Sequence, residues 1–423
     1  MFDEVLLQSL QLCLGLLFTA TLCATVFRHL KIPYTVGLLL VGIVLSILSK
    51  QTFAFDALND VRLSTGLIMY VILPTLIFEA AINIDARQLL KNVIPILLLA
   101  VVGVLISTAI ITLTLQQFTQ LSLAVSLIFA AMISATDPVA VIALFRELNA
   151  SKRLSLLMDG ESLLNDATAI VLFGVLLALV SSNSSLGSTD LWASLLQFVS
   201  IFCGGALFGV AMGGLIVLLL RISKHDRFVQ RSQMIILAYA TFIVADHYLH
   251  LSGVMALLMA GMVVSLNRDR VMNNQCWEHI TIFWEYAAFV GNSFIFLMIG
   301  MTESRLFFDL DHLVSILPLL LVTLLAVTVA RAVIVFGLVP FSNFFRLAAP
   351  ISGKIQVVMF WGGVRGAIPV ALMMALPADM PGRSLIIEMV LATILVTLVL
   401  QGTTIKYLLR HFKLVDGHSP KVG

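Results

Sequence analysis

The chain has 423 residues, of which 60% are hydrophobic and 11% charged, with a formal net charge of +2 and a mean hydropathy of +1.07. A soluble globular domain carries roughly a quarter charged residues, so this composition excludes one and places most of the chain in lipid. The near-neutral charge and the lack of any basic stretch interleaved with aromatics give no support for nucleic-acid binding.

Crossing a bilayer takes about 20 apolar residues. Runs of that kind fall near 4–27, 33–49, 63–81, 93–116, 121–145, 154–181, 191–220, 230–248, 252–267, 278–301, 312–340, 352–378 and 384–408. The expectation is an all-α polytopic membrane protein with about 13 transmembrane helices, no soluble domain, and a short cytoplasmic tail over 411–423. The chain opens on Asp3 and Glu4 without a basic segment, so the first run is expected to be retained as a helix. Cys13, Cys23, Cys203 and Cys276 show no metal-binding spacing and read as membrane-packing residues.

Thirteen spans put the termini on opposite sides, and Lys and Arg say which. Nineteen of the 25 basic residues fall on one side, four (Lys50, Arg62, Arg305, Arg383) on the other, and Arg331 and Arg365 lie within apolar runs. The N-terminus is therefore expected outside and the C-terminus in the cytoplasm. The basic tail, with Lys406, Arg410 and Lys413, is expected to meet lipid headgroups.

Ionisable residues at membrane depth are costly and usually functional. In chain order they are Glu79, Asp137, Glu161, Asp166, Glu285, Arg331 and Arg365. The fifth run holds Ser134-Ala-Thr136-Asp137-Pro138, where proline disfavours helix at Asp137. A helix broken at depth frees carbonyls and is tolerated only beside a cavity or within protein. In the sixth run, Gly160-Glu161-Ser162-Leu-Leu-Asn165-Asp166, the four-residue spacing gives two neighbouring faces. Ser162 and Asp166 offer a hydroxyl and a carboxylate to a hard cation; Glu161 and Asn165 offer an acid and an amide to hold Arg365. The twelfth run, Trp361-Gly-Gly-Val-Arg365-Gly-Ala-Ile-Pro369, reads as a second interrupted helix. One broken helix in each half of a chain points to an inverted-repeat transporter with a midplane site.

These strings, with Phe78-Glu79-Ala80-Ala81 and Asn292-Ser293, resemble the monovalent cation–proton antiporter family, in its NhaP/NHE branch, over nearly the whole chain. The resemblance implies an inverted-repeat antiporter fold with two broken, crossing helices. The transport bundle falls at approximately 93–181 and 312–408, and a dimerisation scaffold at approximately 4–81 and 191–301. It implies Asp166 as the transport carboxylate, with Ser162, Thr136 and Glu79 toward Na⁺. It also implies Glu161 and Arg365 as a structural pair, and Asp137 and Arg331 as charges neutralising half-helix ends. The Asn165-Asp166 pair, in place of two acids, implies electroneutral exchange of one cation for one proton. The short tail looks like that of a prokaryotic antiporter in the inner membrane, acting as a homodimer.

The expected function is therefore exchange of Na⁺, and Li⁺ with it, for H⁺, the ions being cargo and no cofactor being required. A K⁺/H⁺ antiporter on the same scaffold is the alternative. A channel would show filter loops, and an intramembrane hydrolase a GxSxG or HExxH string; neither is present.

Overall fold

The computed structural model of the chain describes residues 2–30, 34–51, 65–137, 141–142, 145, 151–181, 188–223, 226–302 and 310–414. Pro138, on which the first helix break was argued, and residues 415–423 of the expected tail lie outside these. Among the described residues the regular structure is entirely helical.

In chain order the helices are α1 (Phe2–Leu30), α2 (Tyr34–Gln51), α3 (Ile68–Asn83), α4 (Ala86–Lys91), α5 (Val93–Phe118), α6 (Leu123–Ser134), α7 (Lys152–Ser181) and α8 (Ser188–Ile222). There follow α9 (Arg227–Tyr248), α10 (Gly253–Val271), α11 (Asn274–Thr302), α12 (Val314–Phe344), α13 (Gly353–Trp361), α14 (Ala367–Met374) and α15 (Arg383–His411). Seven of these (α5, α7, α8, α9, α11, α12 and α15) are individually long and apolar enough to cross a bilayer. Four of the remaining expected runs form shorter apolar helices, at Cys13–Phe27, Tyr34–Ile47, Ile68–Asn83 and Leu123–Ser134. The twelfth run is two half-helices, α13 and α14, rather than one span.

Helix packing cannot draw on a hydrophobic driving force in lipid, so close contact relies on small residues. Along α8, Gly205, Gly209 and Gly213 recur every four residues against Ser252, just before α10, and Ala256 and Ala260 within it. A Cβ on Gly209 would lie 2.1 Å from the Ala256 carbonyl oxygen. Gly42 of α2 and Gly300 of α11 meet backbone to backbone in the same way.

The heaviest packing falls within two sets of helices. In one, α8 and α9 pack on α10, α10 on α3, and α11 on α1, α2 and α3. In the other, α5 packs on α6 and α12, α6 on α7 and α15, and α14 on α15. The sets meet where α7 lies on α8 and α10 and where α11 lies on α14, while the short α4 touches both α7 and α10.

Candidate functional site

Helix α6 starts on a Ser122 cap, whose hydroxyl accepts from the Val125 amide, and stops at Ser134. Ala135 is extended (φ −64°, ψ 142°), and the chain runs non-helical through Asp137. Helix α13 stops at Trp361, and residues 363–366 are non-helical until α14 begins at Ala367. The two breaks touch: the Asp137 amide donates to the Val364 carbonyl at 2.7 Å, and an Asp137 carboxylate oxygen accepts from the Ala367 amide at 3.2 Å. Asp137 thus caps the positive end of α14.

The negative ends are covered by arginine. Arg365 Nη1 donates to the Ser134 and Ala135 carbonyls at 3.0 and 2.8 Å, closing α6. Arg331 of α12 donates from Nη2 to the Met359 carbonyl at 2.8 Å, in the last turn of α13. Two glycines permit this approach. A Cβ on Gly366 would lie 1.8 Å from Asp137 Oδ2, and one on Gly363 would lie 2.6 Å from Arg331 Nε.

Helix α7 lies against the first break. Ser162 Oγ donates to the Thr136 carbonyl at 2.6 Å, and Asn165 Nδ2 donates to Thr136 Oγ1 at 2.7 Å while Asn165 Oδ1 accepts from the Thr136 amide at 3.3 Å. Thr136, Ser162 and Asn165 are all buried. Asp166 follows Asn165 directly, and its Oδ1 is buried without a hydrogen-bond partner among the described residues.

The structure brings Thr136, Asp137, Glu161, Ser162, Asn165, Arg331 and Arg365 together, and one pairing differs from the expectation. Glu161 was expected to hold Arg365. It instead forms a two-pronged pair with Arg331, both side chains being almost fully buried. The reason is reach. Arg365 sits at the break itself, beside the orphan carbonyls of α6, and is consumed there. Arg331 comes from α12 and meets Glu161 and the end of α13 together. Glu79 sits on α3, partly buried, and accepts from Asn83 Nδ2 at 2.6 Å. Glu285, counted among the ionisable residues at membrane depth, is exposed on the outer face of α11. Two polar partners had no sequence signal: Thr397 in α15, whose hydroxyl accepts from the Arg365 amide at 3.3 Å, and the Val364 carbonyl.

Comparison with known proteins covers most of the chain. Residues 17–411 match the family described as sodium/hydrogen exchanger, transmembrane. The chain is 38% identical to the low-affinity Na⁺/H⁺ antiporter NhaS1 of Synechocystis, over 95% of this chain and 73% of that protein. It is 36% identical to the Na⁺/H⁺ antiporter ApNhaP of Aphanothece halophytica, over 92% and 72% respectively. Its fold is similar to that of the sodium proton antiporter MjNhaP1 of Methanocaldococcus jannaschii, with a TM-score of 0.71 at 20% identity over 94% of this chain and 99% of that one. With the crossing of two broken helices and a match along most of its length, the chain belongs to the transmembrane sodium/hydrogen exchanger family.

Proposed function

We propose that the chain exchanges Na⁺ for H⁺ across the membrane, the two ions competing for the carboxylate of Asp166. One observation carries this reading: Asp166 keeps a buried oxygen without a partner, while its neighbouring acids are committed, Asp137 to the Ala367 amide and Glu161 to Arg331. A buried unsatisfied oxygen calls for an explanation, and a bare carboxylate at membrane depth is costly. A proton or a desolvated monovalent cation relieves both costs, and the site holds one or the other. Ser162 and Thr136, already linked to each other one turn away, complete the oxygen ligands of the cation together with Glu79. Arg331, Arg365, Asp137, Asn165 and Glu161 hold the crossing in shape.

Only a neutralised site crosses the barrier between the two helix sets, which couples the flows. The set containing α5–α7 and α12–α15 moves as a bundle, and the other serves as scaffold. With Asp166 as the one acid that trades its proton for the cation, exchange is one for one and electroneutral. The N-terminus lies outside a prokaryotic inner membrane and the C-terminus inside, where the basic tail meets lipid headgroups. Protease that trims a C-terminal tag in right-side-out vesicles contradicts this orientation. The scaffold pairs with a second copy. Glu285 lies about 17 Å along α11 at 1.5 Å per residue, exposed beside Ile282, Phe283 and Tyr286. A carboxylate so placed is costly against lipid tails, and light scattering that gives one chain per detergent particle rules out the dimer.

The test is proton movement in proteoliposomes driven by Na⁺, Li⁺ or K⁺, with and without a membrane potential. Asp166→Asn abolishes the Na⁺-driven signal while the protein still folds. Retained exchange removes Asp166 from its role. A response to K⁺ alone replaces Na⁺ as the cargo, and acceleration by the potential ends the electroneutral reading.

A further inference from the structure

Helix α3 ends in a short relay. Glu79 and Asn83 are four residues apart and share a face. Asn83 Nδ2 holds a Glu79 carboxylate oxygen at 2.6 Å. Beyond Asn83 the chain turns extended at Ile84 (φ −71°, ψ 140°), whose carbonyl is held by Ser265 Oγ of α10 at 3.3 Å. The helix end carrying Asn83 is therefore fixed to the second wall of a cavity of about 330 Å³, lined by Asn83, Asp85, Arg87, Ser265, Arg268 and Asp269. This cavity opens on the arginine-rich face that the proposed orientation puts in the cytoplasm.

The acids that line it are engaged. Asp85 caps α4, accepting from the Gln88 amide at 3.1 Å and from Gln88 Nε2 at 2.8 Å. Asp269 pairs with Arg87 at 3.2 Å and Arg268 at 3.4 Å. Asn83 is exposed to the cavity. Its amide nitrogen is spent on Glu79, and its carbonyl oxygen has no hydrogen-bond partner among the described residues; a neutral oxygen on a cavity-lining residue is of the kind that replaces water around a hard cation.

The geometry points to Asn83 as a positioning residue for transport: it fixes Glu79 toward the ion path and supplies the first protein oxygen to a cation entering from the cavity. This rests on the assignment of Glu79 and Asp166 to the ion path. The role is one-sided, because Asn83 lies at the cavity end of the relay.

The experiment measures Na⁺-dependent proton movement in oriented vesicles, with Na⁺ presented in turn at each face, for the wild type, Asn83→Ala, Asn83→Asp, Glu79→Gln and Glu79→Gln/Asn83→Ala. Asn83→Ala raises the apparent KM for Na⁺ at the basic face roughly tenfold, the loss expected for one hydrogen bond to a charged group. The maximal rate and the KM at the opposite face stay within twofold. Asn83→Asp keeps an oxygen but loses the amide donor, so it also raises the KM. In the Glu79→Gln background, Asn83→Ala raises that KM by less than it does in the wild type, because only the entry oxygen remains to be lost. A lowered maximal rate at unchanged KM, an equal KM change at both faces, or additive effects in the double variant overturns the proposal. If Asp166→Asn is inactive and Asn83→Ala keeps the wild-type KM, this inference alone fails. If Asp166→Asn still exchanges, the site reading beneath it fails.

Discussion

Arg331 and Arg365 bring the same charge to the same crossing, yet they do different work. Arg365 is spent on backbone carbonyls, and Arg331 divides its guanidinium between a carboxylate and a carbonyl. Each keeps a buried Nε without a partner among the described residues, so neither has spare interactions to lose. Removing one member of a buried ion pair strands the other and costs about 3–5 kcal/mol. Glu161→Ala is therefore expected to lower folded yield and melting temperature in detergent by stranding Arg331. Adding Arg331→Met to Glu161→Ala recovers part of the loss, whereas adding Arg365→Met deepens it by opening the end of α6. The reverse order of recovery shows that Glu161 serves Arg365 after all. At Asp166 the logic runs the other way, since its neighbours' partners are filled and its own oxygen is open. On the proposed reading, the paired acids at the crossing, Asp137 and Glu161, are the structural ones.

Among the elements, the broken helices rely on compensation at every free end. A half-helix exposes carbonyls at one end and amides at the other. Here arginines take the ends of α6 and α13, and Asp137 takes the start of α14. The crossing also needs absent side chains. Gly366→Ala places a methyl group inside the Asp137 carboxylate, so the cap must leave and the breaks must separate. Overpacking of this severity costs ~3 kcal/mol, and the expected result is a lower melting temperature together with lost exchange. Gly353→Ala, at the start of α13 with open space around it, is the control and leaves both unchanged. Equal stability of the two variants would show that the backbone crossing is looser than drawn.

Across the whole molecule, the Arg87–Asp269 bridge at the arginine-rich face joins α4, which leads into α5 of one helix set and also touches α7, to α10 of the other. Both side chains are at least half exposed, so the pair is worth little in stability, and its position matters more than its strength. It lies between the part expected to move and the part expected to stay. With the native cysteines replaced, Arg87→Cys/Asp269→Cys joined by a bifunctional thiol reagent is expected to stop exchange, while the same variant without reagent remains active. Undiminished exchange in the joined protein removes the sliding of one set against the other.

Membrane residence, the runs of apolar helix, the acids and arginines at depth and both helix breaks were determined by the sequence alone. These are local properties: hydropathy summed over a span, glycine and proline acting on their own backbone, and a four-residue spacing that puts Ser162 near Asp166 and Glu161 near Asn165. Which arginine meets which acid was decided by the tertiary structure, because Glu161 and Arg331 are 170 residues apart and spacing along α7 specifies a face but no partner. The same limit hid Thr397, an ordinary hydroxyl in an apolar run, and the exposure of Glu285, which composition cannot tell from burial. It also hid the link from Asn83 to the cavity, since only the packing of α3 against α10 gives that asparagine something to face.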